Sequence, residues 1–160
     1  MRLLAIPRHA RNLSNPVKAG PEVLARAAEH FADHCASCHA NDGKGGTLIG
    51  RGLYPKPPDM REAATQQLTD GELYYIIENG VRFTGMPGFA EGAVTDQDTE
   101  SWDLVNFIRH LPNMTDEELA EMKKMNPRSP AELAREERMR KFLQGDDSQP
   151  PESSSHQHHH

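Results

Sequence analysis

The chain has two cysteines, Cys35 and Cys38, three positions apart, with His39 directly after the second. Each thiol of such a pair can add to one vinyl group of a haem, giving two thioether bonds. The imidazole of the next residue is then held beneath the iron. Cys-x-x-Cys-His is read as a c-type haem attachment site. Two other chemistries compete for these thiols. Half a zinc site would need a further pair to reach four ligands, and no other cysteine exists. The C-terminal histidines could complete it only by closing a long loop. A thioredoxin-like pair needs a βαβ context that the sequence lacks. His39 favours haem over both.

A six-coordinate haem iron takes a second axial ligand, usually Met or His. Of the seven methionines, Met1 is terminal and Met60 follows His39 closely, on the loop expected on the proximal side. Met114, Met122, Met125 and Met139 are expected outside the compact core. Met86 stands 47 residues past His39, between Gly85 and Pro87-Gly88. Glycine permits close backbone approach and proline stiffens the turn. A lone Met is often a core gap-filler, but this loop suits that role poorly. Met86 is the expected ligand. His30 and His34 are read as satisfied or solvent-facing, and Arg109 and His110 as surface or propionate-side residues.

These residues need elements to position them. Pro21 can open a helix whose apolar face is Val23, Leu24, Ala27, Ala28 and Phe31, leading into Cys35. Residues 40–60, rich in Gly and Pro, are expected to be loop wrapped around a cofactor edge. Thr69 and Glu72 form a capping box for a helix that presents Leu73, Ile76 and Ile77 and stops at Gly80. Residues 81–98 are loop again. A last core helix spans roughly 99–111, with Leu104, Phe107, Ile108 and Leu111 on one side and Pro112 ending it. Thr115 with Glu118, and Ser129 with Glu132 and Pro130, then open two charged helices. The first carries Leu119, Met122 and Met125; the second carries Leu133, Met139, Phe142 and Leu143. Gly145 closes the second.

The expected organisation is therefore a basic N-terminal arm (1–20), a haem domain (21–111), a charged helical extension (112–145) and a disordered polar tail (146–160). The tail holds His156, His158, His159 and His160, a possible secondary site for Cu(II), Ni(II) or Zn(II), or a purification remnant. Only 36% of the 160 residues are hydrophobic, so a bound haem would supply apolar surface that the core lacks. Net charge is −6, with four basic and no acidic residues in 1–20 but seven basic and fourteen acidic in 21–111. That balance argues against nucleic-acid binding, which needs a basic footprint. It points to a partner with a basic or apolar face.

Residues 20–111 resemble a class I c-type cytochrome, similar to the small mono-haem cytochrome subunits of cbb3-type oxidases. Phe31 matches the aromatic of the family's N-terminal helix, and Ala27 the small residue at the crossing of the terminal helices. Phe107, in Asp103-Leu104-Val105-Asn106-Phe107, matches the aromatic packed on that crossing. Pro58-Asp59-Met60 resembles the family's Pro-Asn-Leu. That likeness implies a Pro58 carbonyl accepting the His39 Nδ1 proton and a Met60 side chain on the haem. Leu73-Tyr74-Tyr75-Ile76-Ile77 with Gly80, then Gly85-Met86-Pro87-Gly88-Phe89, match the helix and loop of the methionine ligand. The resemblance implies an all-α cytochrome c fold of three to four core helices around one covalent haem c. Phe31, Pro58, Met60 and Phe107 would form its surroundings.

A His39/Met86 iron has no vacant position, so single-electron transfer between redox proteins is expected, not catalysis. Alternatives are a haem subunit of a membrane respiratory or dehydrogenase complex, and a peroxidase-like enzyme if Met86 leaves the iron. Covalent haem attachment implies the periplasm or the outer face of the cytoplasmic membrane. An export signal or anchor is expected to precede the residues seen here, and the basic arm would suit an anionic membrane surface.

Overall fold

The computed structural model describes residues 6–90, 97–128 and 130–144, and these contain helices and no strand. The fold is the all-α cytochrome c fold. The chain divides into two compact units, Met1–Asn126 and Pro127–His160.

In the first unit, α1 (Arg8–Arg11) precedes α2 (Pro21–His30), which starts with Pro21 in the first turn. That is where a missing N–H costs no hydrogen bond. The chain then widens into a π-helical turn, Phe31–Cys35, before α3 (Ala36–His39). Such widenings concentrate at functional sites. The haem motif thus straddles a change of helical pitch. Two short helices follow, α4 (Leu48–Gly52) and α5 (Ala63–Gln66). The first lies inside the segment expected to be loop, nucleated by Thr47, whose hydroxyl accepts the Gly50 N–H at 2.8 Å.

Next, α6 (Asp70–Asn79) carries the complete Thr69–Glu72 capping box and ends at Gly80 with φ 66°. After it, α7 (Thr99–His110) is capped by Asp98 and runs into a 3₁₀ turn, Leu111–Asn113, so Pro112 tightens the helix end instead of stopping it abruptly. The crossing of α2 and α7 is the frame of the core. Ala27 is buried there, and the rings of Phe31 and Phe107 lie 4.9 Å apart. On another face of α7, Trp102 stacks on Tyr74 of α6 at 4.1 Å, so α7 is buried on more than the one stripe its apolar spacing suggests.

Two expected boundaries shift. The basic segment 1–20 is docked over its described part. Ile6 and Ala10 are buried, the Trp102 carbonyl accepts from Asn15 at 2.9 Å, and the Val17 carbonyl accepts from Asn106 at 3.1 Å. Backbone carbonyls do this work, which side-chain periodicity cannot signal. Beyond residue 111, α8 (Asp116–Met125) packs on α2 and the π turn, and its capping box is complete. Met122, expected outside the core, is 2% exposed and belongs to it. One buried knob every few turns is too sparse to stand out in a charged sequence.

In the second unit, α9 (Pro130–Leu143) holds an i,i+4 ion pair, Lys141 with Glu137, at 3.3 Å. Met139 and Leu143 are exposed. Ser129, Gly145, the side chains of Glu132, Leu133 and Phe142, and the tail histidines His156, His158, His159 and His160 lie outside the described residues.

Candidate functional site

The π turn and α3 present Cys35, Cys38 and His39 to one side of a cavity of about 470 Å³, within the usual range of cofactor pockets, roughly 300–1,000 Å³. The backbone behind them is fixed. The Thr47 hydroxyl donates to the Cys38 carbonyl at 3.2 Å, and the Gly45 N–H donates to the His39 carbonyl at 2.7 Å. A Cβ on Gly50 would stand 2.5 Å from the Cys38 carbonyl oxygen, so α4 can approach only with glycine there. Ala40 leaves α3 at φ 60°, ψ 157°. That conformation costs an L residue roughly 1–3 kcal/mol and turns the chain sharply after His39.

Met86 borders the same cavity from the loop after α6. Its carbonyl accepts from Val81 at 3.1 Å, and its N–H donates to the Thr84 hydroxyl at 3.1 Å. Phe89 and Ala90 donate back to the Ile77 and Glu78 carbonyls at 3.0 and 3.1 Å. The loop is therefore clipped to the last turn of α6. Leu73, Ile76, Ile77, Leu104 and Ile108 supply apolar wall.

The four residues expected to matter most thus meet around one space. Phe31, Pro58 and Met60 border it too. Phe107 does not; it stands one layer back, behind Phe31. The expected hydrogen bond from His39 to Pro58 is not made: His39 Nδ1 is buried without a partner. His30 lies 3.5 Å from a Glu100 oxygen; the exposed His34 lies 3.3 Å from an Asp33 oxygen and also borders the cavity. Arg109 is half-buried. It donates to Asp70 and to the Gln66 and Leu68 carbonyls, bracing α7 against the start of α6. His110 pairs with Glu118 of α8 at 2.8 Å.

A model of the family described as "Cytochrome C oxidase, cbb3-type, subunit III" matches residues 22–108, more than half of the chain. The chain belongs to that family. Among curated proteins none matches it.

Members of the cbb3-type subunit III family are c-type cytochromes, and the family implies covalently bound haem c. The residues here fit that group. Both cysteines are free of a disulfide and border the cavity. Burial, with Cys38 adding to it, pushes the Cys35 thiol up to about 12, so the haem-free protein holds it as a neutral thiol. Burial also lowers His39 below the ordinary histidine value, favouring the neutral imidazole that ligates metal. Among the described residues no cluster of three His, Cys, Asp or Glu side chains could hold a separate metal ion. No described helix of this cytochrome is long and apolar enough to cross a membrane.

Sequence reasoning missed Gln66. Its amide donates to the Met60 carbonyl at 2.7 Å and the Ile108 carbonyl at 2.8 Å, tying the cavity floor to α7. A lone Gln carries no motif, and its partners are distant in sequence.

Proposed function

We propose that this cbb3-type cytochrome moves single electrons, with His39 and Met86 as the two axial ligands of a haem c joined to Cys35 and Cys38. The observation that carries this reading is that all four residues border one apolar cavity. Haem c, once attached, supplies one-electron chemistry at its iron. The chain's own residues do the rest. A neutral His39 and the thioether of Met86 leave no site for a substrate, and sulfur ligation raises the reduction potential. The apolar walls exclude water and favour the less charged iron state. The clip between the Met86 loop and α6 limits movement during oxidation and reduction.

The family description favours one setting among several: relay of electrons within a membrane respiratory oxidase, on its periplasmic side. Service to a dehydrogenase complex, or as a free carrier, uses the same site. Copurification with a membrane enzyme separates these settings.

The test is optical. Protein matured with haem-attachment machinery should give a low-spin reduced spectrum and, when oxidised, the weak sulfur-to-iron charge-transfer band. Met86→Ala should abolish that band and let carbon monoxide bind. A wild-type spectrum that is high-spin, or that shifts with carbon monoxide without denaturant, would overturn the His/Met reading in favour of an open, peroxidase-like site.

A further inference from the structure

We propose that Met122 is a positioning residue for the haem motif: through this one buried side chain, α8 holds the π turn open and so fixes where Cys35, Cys38 and His39 face. This rests on the reading that the two cysteines carry the haem. It adds a residue outside the cavity to those on which the site depends.

The Ala36 N–H donates to the Phe31 carbonyl, five residues back. The turn Phe31–Cys35 therefore holds one residue more than α-helical geometry would. A residue takes up roughly 100° of rotation in an α-helix. Tightening the turn to α geometry would swing everything after it by about that angle relative to α2. Cys35, Cys38 and His39 all border one cavity, and a rotation of that size would turn them away from it. Such turns are rare, and one that persists needs support from outside its own segment.

Two helices distant in sequence give that support. Phe107 of α7 meets the ring of Phe31, at the start of the turn, at 4.9 Å. The second is α8, which packs on the turn itself and on α2. It begins past residue 108, where the family match ends, so this hold comes from the chain's own extension. Met122 is the one residue that α8 buries. It shares a cluster with Phe31, Ala32 and Ala36, and Cys35 packs against that cluster. Met122 does not border the cavity, so its influence runs through the turn.

The other end of α8 is fixed too. Glu118 lies one helical turn before Met122, on the same face. One of its oxygens accepts from the Thr115 N–H at 2.7 Å, and the other lies 2.8 Å from His110 Nε2. The helix is thus tied to the end of α7 in its first turn and keyed into the core one turn later. So narrow a hold gives a single side chain control over how closely α8 sits on the π turn.

The test uses the haem-loaded full chain. In the ferrous state, Met122→Ala should speed amide exchange at the Ala36 N–H roughly tenfold more than at the α6 N–H groups. The same variant should lower the reduction potential, because water reaching the His39 side favours the more charged ferric iron. Met122→Leu, which conserves volume, should bring both readings back to near wild type. Where the alanine protein matures too little haem to measure, Met122→Val makes the same comparison with a smaller cavity. A helix that only added stability would raise exchange at Ala36 and α6 together and leave the potential unchanged. Either of those results would overturn the positioning role. Wild-type protein whose mass shows no haem bound to Cys35 and Cys38 would overturn the attachment reading instead.

Discussion

Gly80 and Met86 are in backbone contact: a Cβ on Gly80 would lie 2.5 Å from the Met86 carbonyl oxygen and 2.6 Å from the Gly88 nitrogen. Gly80 also holds φ 66°, where an L side chain is strained. The end of α6 and the shape of the Met86 loop are therefore one feature.

Gly80→Ala should cost roughly 1–3 kcal/mol through strain and overpacking. It should also weaken the sulfur-to-iron band of the oxidised protein. Denaturant unfolding alongside the optical spectrum checks both. An intact band with unchanged stability would mean the loop accommodates a methyl group without moving Met86.

Phe31 forms cavity wall on one side and meets Phe107 on the other. Phe31→Ala should destabilise by about 3–5 kcal/mol, as large-to-small changes in packed cores do. Phe107→Ala should destabilise comparably yet shift the haem spectrum less, because Phe107 does not border the cavity. Equal spectral shifts in the two variants would contradict this layering.

Met122 tests where the domain ends. If α8 is part of the core, Met122→Ala should cost about 2–5 kcal/mol in urea unfolding. A change within about 0.5 kcal/mol, the usual surface range, would return residues 112–126 to the status of an appendage.

Glu78 is buried, and burial raises its carboxyl above the ordinary range, with Ser101 opposing and Asp98 adding. The folded protein keeps a proton that the unfolded chain has released. Stability from this group is thus complete below the ordinary carboxylate value and is lost as pH rises through the raised one. Glu78→Gln should remove that decline. Melting curves between about pH 4 and about pH 8 should show wild type falling relative to the variant as pH increases. Parallel curves would mean the carboxyl does not titrate in that window.

Much of this arrangement can be read from local signals. Thr69, Glu72 and Gly80 mark α6 because capping chemistry acts within a few residues, and the complete box is present. Cys35, Cys38 and His39 announce their chemistry by spacing alone, and Phe31 by its place on an apolar helical face. What escaped depends on groups distant in sequence. Asn15 and Asn106 bind carbonyls 87 and 89 positions away, and Arg109 reaches Asp70 39 positions back.

The clip that joins Phe89 and Ala90 to the last turn of α6 has a consequence for leakage. With Met86 on the iron as proposed, an outside molecule can reach the metal only when that turn frays. Amide exchange at the Phe89 and Ala90 N–H groups then reads how often that turn frays. A cytochrome built this way protects its electron from oxygen by the stability of a helix end.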